Sequence, residues 1–250
     1  MEQALNESQP QVEEVIVENR ENEENQEAFK LDQQNIRLGF IRKVYLILST
    51  QLALTALLIA ISVDNDGYRV FVRNNLWLFV ICIVVALASL FTLICFRSVS
   101  RAVPWNYILL GLFTLSEAYL ASCITAFAPP QTVLIAATLT AVVTVALTVY
   151  AFTTKSDFTI LGGVLFVASA VLLVAFIIVL FTENRVLEII ISSLICIVYG
   201  IYLIYDTQLI VGKQENALSF DDYIQGALHL FIDIFTIFIH LLQIFAGGNN

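Results

Sequence analysis

Seven apolar stretches, each about long enough to cross a bilayer, leave few folds open to this chain. They lie near 44–63, 76–96, 107–128, 131–152, 159–181, 186–211 and 224–246. A spanning helix needs roughly 20 mostly apolar residues, and lipid offers no partner to a peptide group left outside a helix or a closed barrel. The stretches show no strand-type alternation, which argues against a membrane β-barrel. Only 13% of the residues are charged while 59% are hydrophobic, a balance foreign to soluble domains. The expected fold class is an all-α membrane protein, a seven-transmembrane-helix bundle over residues 40–250.

Residues 1–39 have the opposite character. They hold ten acids against three bases, so −7 of the net −9 sits in one segment. A stretch this polar and poor in aromatics buries too little surface to fold alone, and composition predicts a disordered acidic cytoplasmic tail. The first apolar run starts after some forty polar residues, so it is expected to act as a signal anchor and not as a cleaved leader. Asn6-Glu7-Ser8 has the form of a glycosylation acceptor, relevant only on the lumenal side. Cys82, Cys95, Cys123 and Cys196 fall inside apolar stretches with no disulfide or metal-binding spacing, and read as small apolar filler.

Basic residues near helix ends set orientation. One side carries Arg37, Arg42, Lys43, Arg97, Arg101, Lys155 and Lys213, the other Arg69, Arg73 and Arg185. That excess places the N-terminus in the cytoplasm. Seven full crossings put the C-terminus on the far side, whereas a re-entrant last helix returns it. Glu183, Arg185 and Glu188 mark the far interface. The loops are short and hold no extramembrane catalytic domain, so the chain is expected to be no enzyme and to bind no nucleic acid.

Five polar groups inside the apolar stretches need explaining: Glu117, Asp206, His229, Asp233 and His240. A charge at that depth is costly unless it is paired, protonated or beside water, which makes each a functional candidate. If the last two stretches form an antiparallel hairpin, its midpoint falls between Ser219 and Phe220, and Asp206 and Asp233 are equidistant from it. They would then face each other at one depth, with Asp206 ~7 Å inside its helix end and Glu117 ~15 Å inside its own.

Two carboxylates in low dielectric resist ionising together, so a single shared proton clamping the two helices is the expected resting state. Loss of that proton, or arrival of a cation, would loosen the clamp. Calcium suits such a path because it prefers carboxylate and carbonyl oxygens; Asp206 and Asp233 are its candidate transient ligands, as a permeant ion and not a cofactor. Arg97 or Arg101 could reach the pair and hold it closed. His229, Asp233 and His240 recur at i, i+4 and i+11 on one helical face, either as a stripe titrating near neutrality or as simple hydrogen-bonding partners of neighbouring helices. A bland alternative exists for the aspartates as well: a buried hydrogen bond that only fixes packing.

These residues also carry a resemblance. FIRKVYLILSTQLALTA at 40–56, VPWNYILLGLFTLSEAY at 103–119, IYLIYDTQLIVG at 201–212 and DDYIQGALHLFIDIFTIFIHLLQIF at 221–245 resemble the transmembrane Bax-inhibitor-motif family, in its Lifeguard and Golgi anti-apoptotic branch. The resemblance implies seven helices with one at the centre, calcium leak from intracellular stores of the endoplasmic reticulum or Golgi, and suppression of cell death. It also implies a proton-sensitive latch at Asp206 and Asp233, with Arg97 or Arg101 in the place of a family arginine. Where the family commonly has Asn-Leu-Tyr and a later Asn, this chain has His229-Leu230-Phe231 and Thr236.

The expected function is a pH-sensitive calcium leak that lowers store calcium and suppresses cell death. Its alternative is a non-conducting scaffold in the lipid bilayer that regulates calcium channels or apoptosis proteins. An intramembrane aspartyl protease would share Tyr205-Asp206, yet Leu230-Phe231-Ile232-Asp233 lacks the Gly-x-Gly-Asp form of its second motif. A seven-helix receptor is disfavoured because no lysine lies within any stretch, which excludes a retinal Schiff base, and the last one has no Asn-Pro-x-x-Tyr.

Overall fold

The structure is a computed structural model that describes the backbone of residues 2–182, 184–212 and 217–246, and nearly all side chains from Leu31 onward. Nine α-helices are seen among the described residues: α1 (Glu2–Ser62), α2 (Asp66–Asn74), α3 (Leu76–Cys95), α4 (Arg97–Arg101), α5 (Trp105–Thr125), α6 (Pro130–Thr153), α7 (Gly162–Thr182), α8 (Arg185–Val211) and α9 (Tyr223–Ala246). A 3-10 turn, Thr159–Leu161, leads into α7. Seven helical segments are long and apolar enough to cross a membrane: Leu31–Ser62, Leu76–Cys95, Trp105–Thr125, Pro130–Thr153, Thr159–Val179, Arg185–Val211 and Tyr223–Ala246. The protein is an all-α, seven-helix integral membrane protein.

Two compact units divide the chain at residue 40, Met1–Phe40 and Ile41–Asn250. Composition predicts disorder over 1–39, whereas the backbone there is helical from Glu2 onward. Glutamate, glutamine and alanine are good helix formers, and a solvated helix satisfies its peptide groups without a core. Glu183, Lys213, the glycosylation-type side chains Asn6 to Ser8 and the C-terminal residues 247–250 lie outside the described residues or side chains.

Local chemistry sets the helix limits. Asn65 caps α2 by accepting from the Tyr68 N–H at 3.0 Å, and Asn184 caps α8 by accepting from the Leu187 N–H at 3.2 Å; both satisfy donors that a helix start leaves open. Pro130 occupies the first turn of α6, where its missing N–H costs nothing. Gly212 ends α8 in the left-handed region at φ 72°, a conformation glycine adopts without penalty. The segment 64–75 between the first two apolar stretches is mostly the amphipathic helix α2.

Helix α9 lies at the centre. It packs against α8 most extensively and also against α6, α5 and α4. Half of the apolar window of α9 is buried, as is half of α5, against 28% or less for the other spans. A shared ring contact joins those two: Phe113 and Phe231, both fully buried, meet edge to face with centroids 5.9 Å apart, a geometry the ring quadrupoles favour. Gly226 lets α8 and α1 come close, since a Cβ there would meet Ile210 Cγ1 at 3.3 Å and Val44 Cγ2 at 3.4 Å.

Candidate functional site

The α8–α9 contact buries the two aspartates. Asp206 on α8 and Asp233 on α9 are only 5% and 3% exposed. The Asp233 carboxyl lies beside Asp206, and its Oδ2 is buried without a hydrogen-bond partner. An orphaned carboxylate oxygen in a membrane interior is costly, so the arrangement stores a demand for a proton or a cation. His229, one turn before Asp233, places Nδ1 3.4 Å from Asp206 Oδ1. The structure thus brings Asp206, Asp233 and His229 together.

Aromatic side chains border this group. Tyr199, Tyr202 and Tyr205 descend one side of α8 with successive centroids 5.5 and 6.3 Å apart, and Ser169 donates to the Tyr202 hydroxyl at 3.2 Å. Gly162 leaves room for Tyr205, whose hydroxyl would stand 2.9 Å from a Cβ at that position. Along α9, Phe231 stacks on Phe235 with centroids 5.6 Å apart.

His240 stands apart from the pair, about 16 Å along α9 from His229 at 1.5 Å per residue. It contacts Ser192 Oγ at 3.3 Å and meets Phe176 edge to face, which is the role of a packing histidine. Glu117 is half-buried near the middle of α5 with no hydrogen bond or ion pair among the described residues.

Arg97 and Arg101, expected beside the aspartate pair, converge instead on Asp222. Arg101 donates from Nε to Oδ1 at 2.7 Å and from Nη2 to Oδ2 at 2.9 Å, and Arg97 adds Nη2 to Oδ2 at 3.1 Å. The Asp222 side chain is fully buried beneath them. Eleven residues separate Asp222 from Asp233, about 16 Å of helix, so this clamp ties α4 to the start of α9 and leaves the pair to itself. Burial pushes the Asp222 carboxyl up, but the hydrogen bonds and charges of Arg101 and Arg97 together outweigh it and hold it below the usual carboxylate range. Its hydrogen bond in turn raises the Arg101 guanidinium. The same end of the bundle is fixed by Asn106, which donates to the Tyr223 hydroxyl at 3.2 Å, and by Gln225, which donates to the Leu93 carbonyl at 3.2 Å.

Among the described residues no three His, Cys, Asp or Glu side chains assemble as a metal site. What the fold and the pair define is a polytopic helical membrane protein with acidic side chains facing each other across its two last helices. Residues 37–250 match the family described as inhibitor of apoptosis-promoting Bax1, and the chain belongs to that family. It is 36% identical to protein lifeguard 3 of Homo sapiens over 222 residues, 87% of this chain and 71% of that protein. Protein lifeguard 3 of Mus musculus is 36% identical over 217 residues, 85% of this chain and 70% of its own length. The Golgi anti-apoptotic protein of Vaccinia virus (strain Lister) is 32% identical over 216 residues, 86% and 88% of the two chains.

Proposed function

We propose that this chain is a proton-sensitive calcium leak of an intracellular membrane, endoplasmic reticulum or Golgi, that lowers store calcium and restrains cell death. The observation that carries the reading is the facing pair Asp206 and Asp233, buried between α8 and α9 with one carboxylate oxygen unpartnered. Two carboxylates are too few for resident calcium, which takes about six to eight oxygens, and suit an ion in transit. A proton shared by the pair holds the two helices together; its loss sets two charges against each other and loosens them. Toward the other end of α9 an apolar cluster of Ala128, Val133, Ala136, Phe238 and Leu242, flanked by Ile59 and Val63, bars passage while the pair is closed. The names of the lifeguard and Golgi anti-apoptotic relatives support the cell-death role and the compartment. The excess of flanking lysine and arginine supports a cytoplasmic N-terminus.

The test is calcium release from liposomes holding the purified full chain and a trapped calcium dye. A leak appears as release above that of protein-free vesicles. A well-folded reconstitution without release turns the reading toward a non-conducting scaffold.

A further inference from the structure

We propose that the groove between α1 and α5 holds one acyl chain of a membrane phospholipid whose acidic headgroup is captured by Lys43. This inference does not rest on the leak reading. The groove is a cavity of about 440 Å³ open to the side, running from Lys43 and Tyr107 at one end to Leu54 at the other. Eleven residues of α1 separate Lys43 from Leu54, so it is about 16 Å long. Leu46, Leu54 and Leu110 make its walls apolar.

Its width has two causes. Gln51 holds α1 to α5 by donating from Nε2 to Thr114 Oγ1 at 2.8 Å, and it spaces the helices by a long side chain. One turn away Gly111 lines the groove, and a Cβ built there meets nothing within 4 Å. The space is therefore open at the residue where a side chain would ordinarily fill it. In a bilayer such a lateral cleft faces hydrocarbon, and an acyl chain is the neighbour of matching chemistry.

The charge at the mouth selects the headgroup. The Lys43 ammonium lies over the Tyr223 ring, 3.2 Å from its centroid, so the cation is fixed in place at the groove end by a cation–π contact. Arg42 beside it is exposed. Basic pockets between membrane helices recognise acidic headgroups, each basic residue carrying about a fivefold preference.

The experiment is native mass spectrometry of the full chain in detergent, titrated with phosphatidylserine and with phosphatidylcholine of the same acyl chains. The expected result is one tightly held phosphatidylserine, retained at about fivefold lower concentration than phosphatidylcholine. Lys43→Gln should bring the two lipids level, and Gly111→Phe should displace both while leaving the melting temperature unchanged. Should Gly111→Phe melt early, Thr50→Phe fills the groove from its exposed wall and replaces it. Equal retention of the two lipids by the parent chain overturns the proposal. So does a lipid that survives both fillers, and so does a Thr50→Cys disulfide dimer, which would put a second copy in the groove.

Discussion

Asp222→Asn tests the arginine clamp where its geometry can be counted. The substitution keeps the shape of the side chain and removes its charge. With its amide oxygen at the Oδ1 position, Asn retains the bond from Arg101 Nε, but its NH2 then faces the two N–H groups that now donate to Oδ2. Two of three charge-assisted hydrogen bonds are lost. Bonds to a charged group contribute about 1.5–3 kcal/mol when buried, and solvent screening at the partners reduces this, so the expected cost at Asp222 is about 1–2 kcal/mol. For a chain of this size that lowers the melting temperature by about 2–8 °C. The pH dependence fixes the sign. The folded-state carboxyl is held below its unfolded value, so its stabilisation is fully present above the ordinary aspartate range near ~4 and is lost as pH falls through the depressed folded value. Differential scanning fluorimetry of parent and variant in one detergent should show a constant gap at neutral pH that closes in acid. A gap that widens as pH falls, or no gap at neutral pH, refutes the clamp.

Other substitutions probe how the helices are held. Gly226→Val should cost about 1–3 kcal/mol by overpacking against Ile210 and Val44, read as a lower melting temperature in detergent; Gly39→Ala, inside α1 with nothing within 4 Å of its Cβ, should instead leave the melting temperature unlowered, since alanine is the better helix former. Gln208→Leu should free the loop before α7, since Gln208 accepts from the Phe158 N–H and donates to the Ser156 carbonyl, both at 2.8 Å. Losing those bonds costs about 1 kcal/mol each, and hydrogen exchange should rise at Phe158 with little change in α5. Phe231→Ala, at a fully buried ring in contact with Phe113 and Phe235, should cost about 3–5 kcal/mol by the same thermal assay.

The seven spans were legible because length and hydropathy alone set them; α8, capped by Asn184 and Gly212, begins and ends within one residue of the expected span, whereas α1 runs on well before residue 44 because its polar N-terminal part is helical too. The facing of Asp206 and Asp233 was legible too, because a short hairpin between adjacent helices converts sequence spacing into depth. Asp222 was not. It sits beside Asp221 in a polar turn that reads as an ordinary helix entry, and its partners lie 121 and 125 positions away. Only folding reveals that two arginines at the ends of a five-residue helix point at it. The central place of α9 was equally hidden in composition, since apolar residues that face lipid and apolar residues that face protein look alike. A weak sign was available in α5 and α9, whose spans are among the less apolar and yet the most buried.

The measurement closest to the centre of this account is the pH dependence of calcium release from liposomes, compared between the parent chain and Asp233→Asn. A shared proton between Asp206 and Asp233 requires release by the parent to rise as pH increases and the pair loses that proton. Asparagine at 233 cannot take part in the exchange, so the variant should show release that no longer follows pH. A variant whose release tracks pH as the parent does would contradict the account, because the gate would then lie elsewhere.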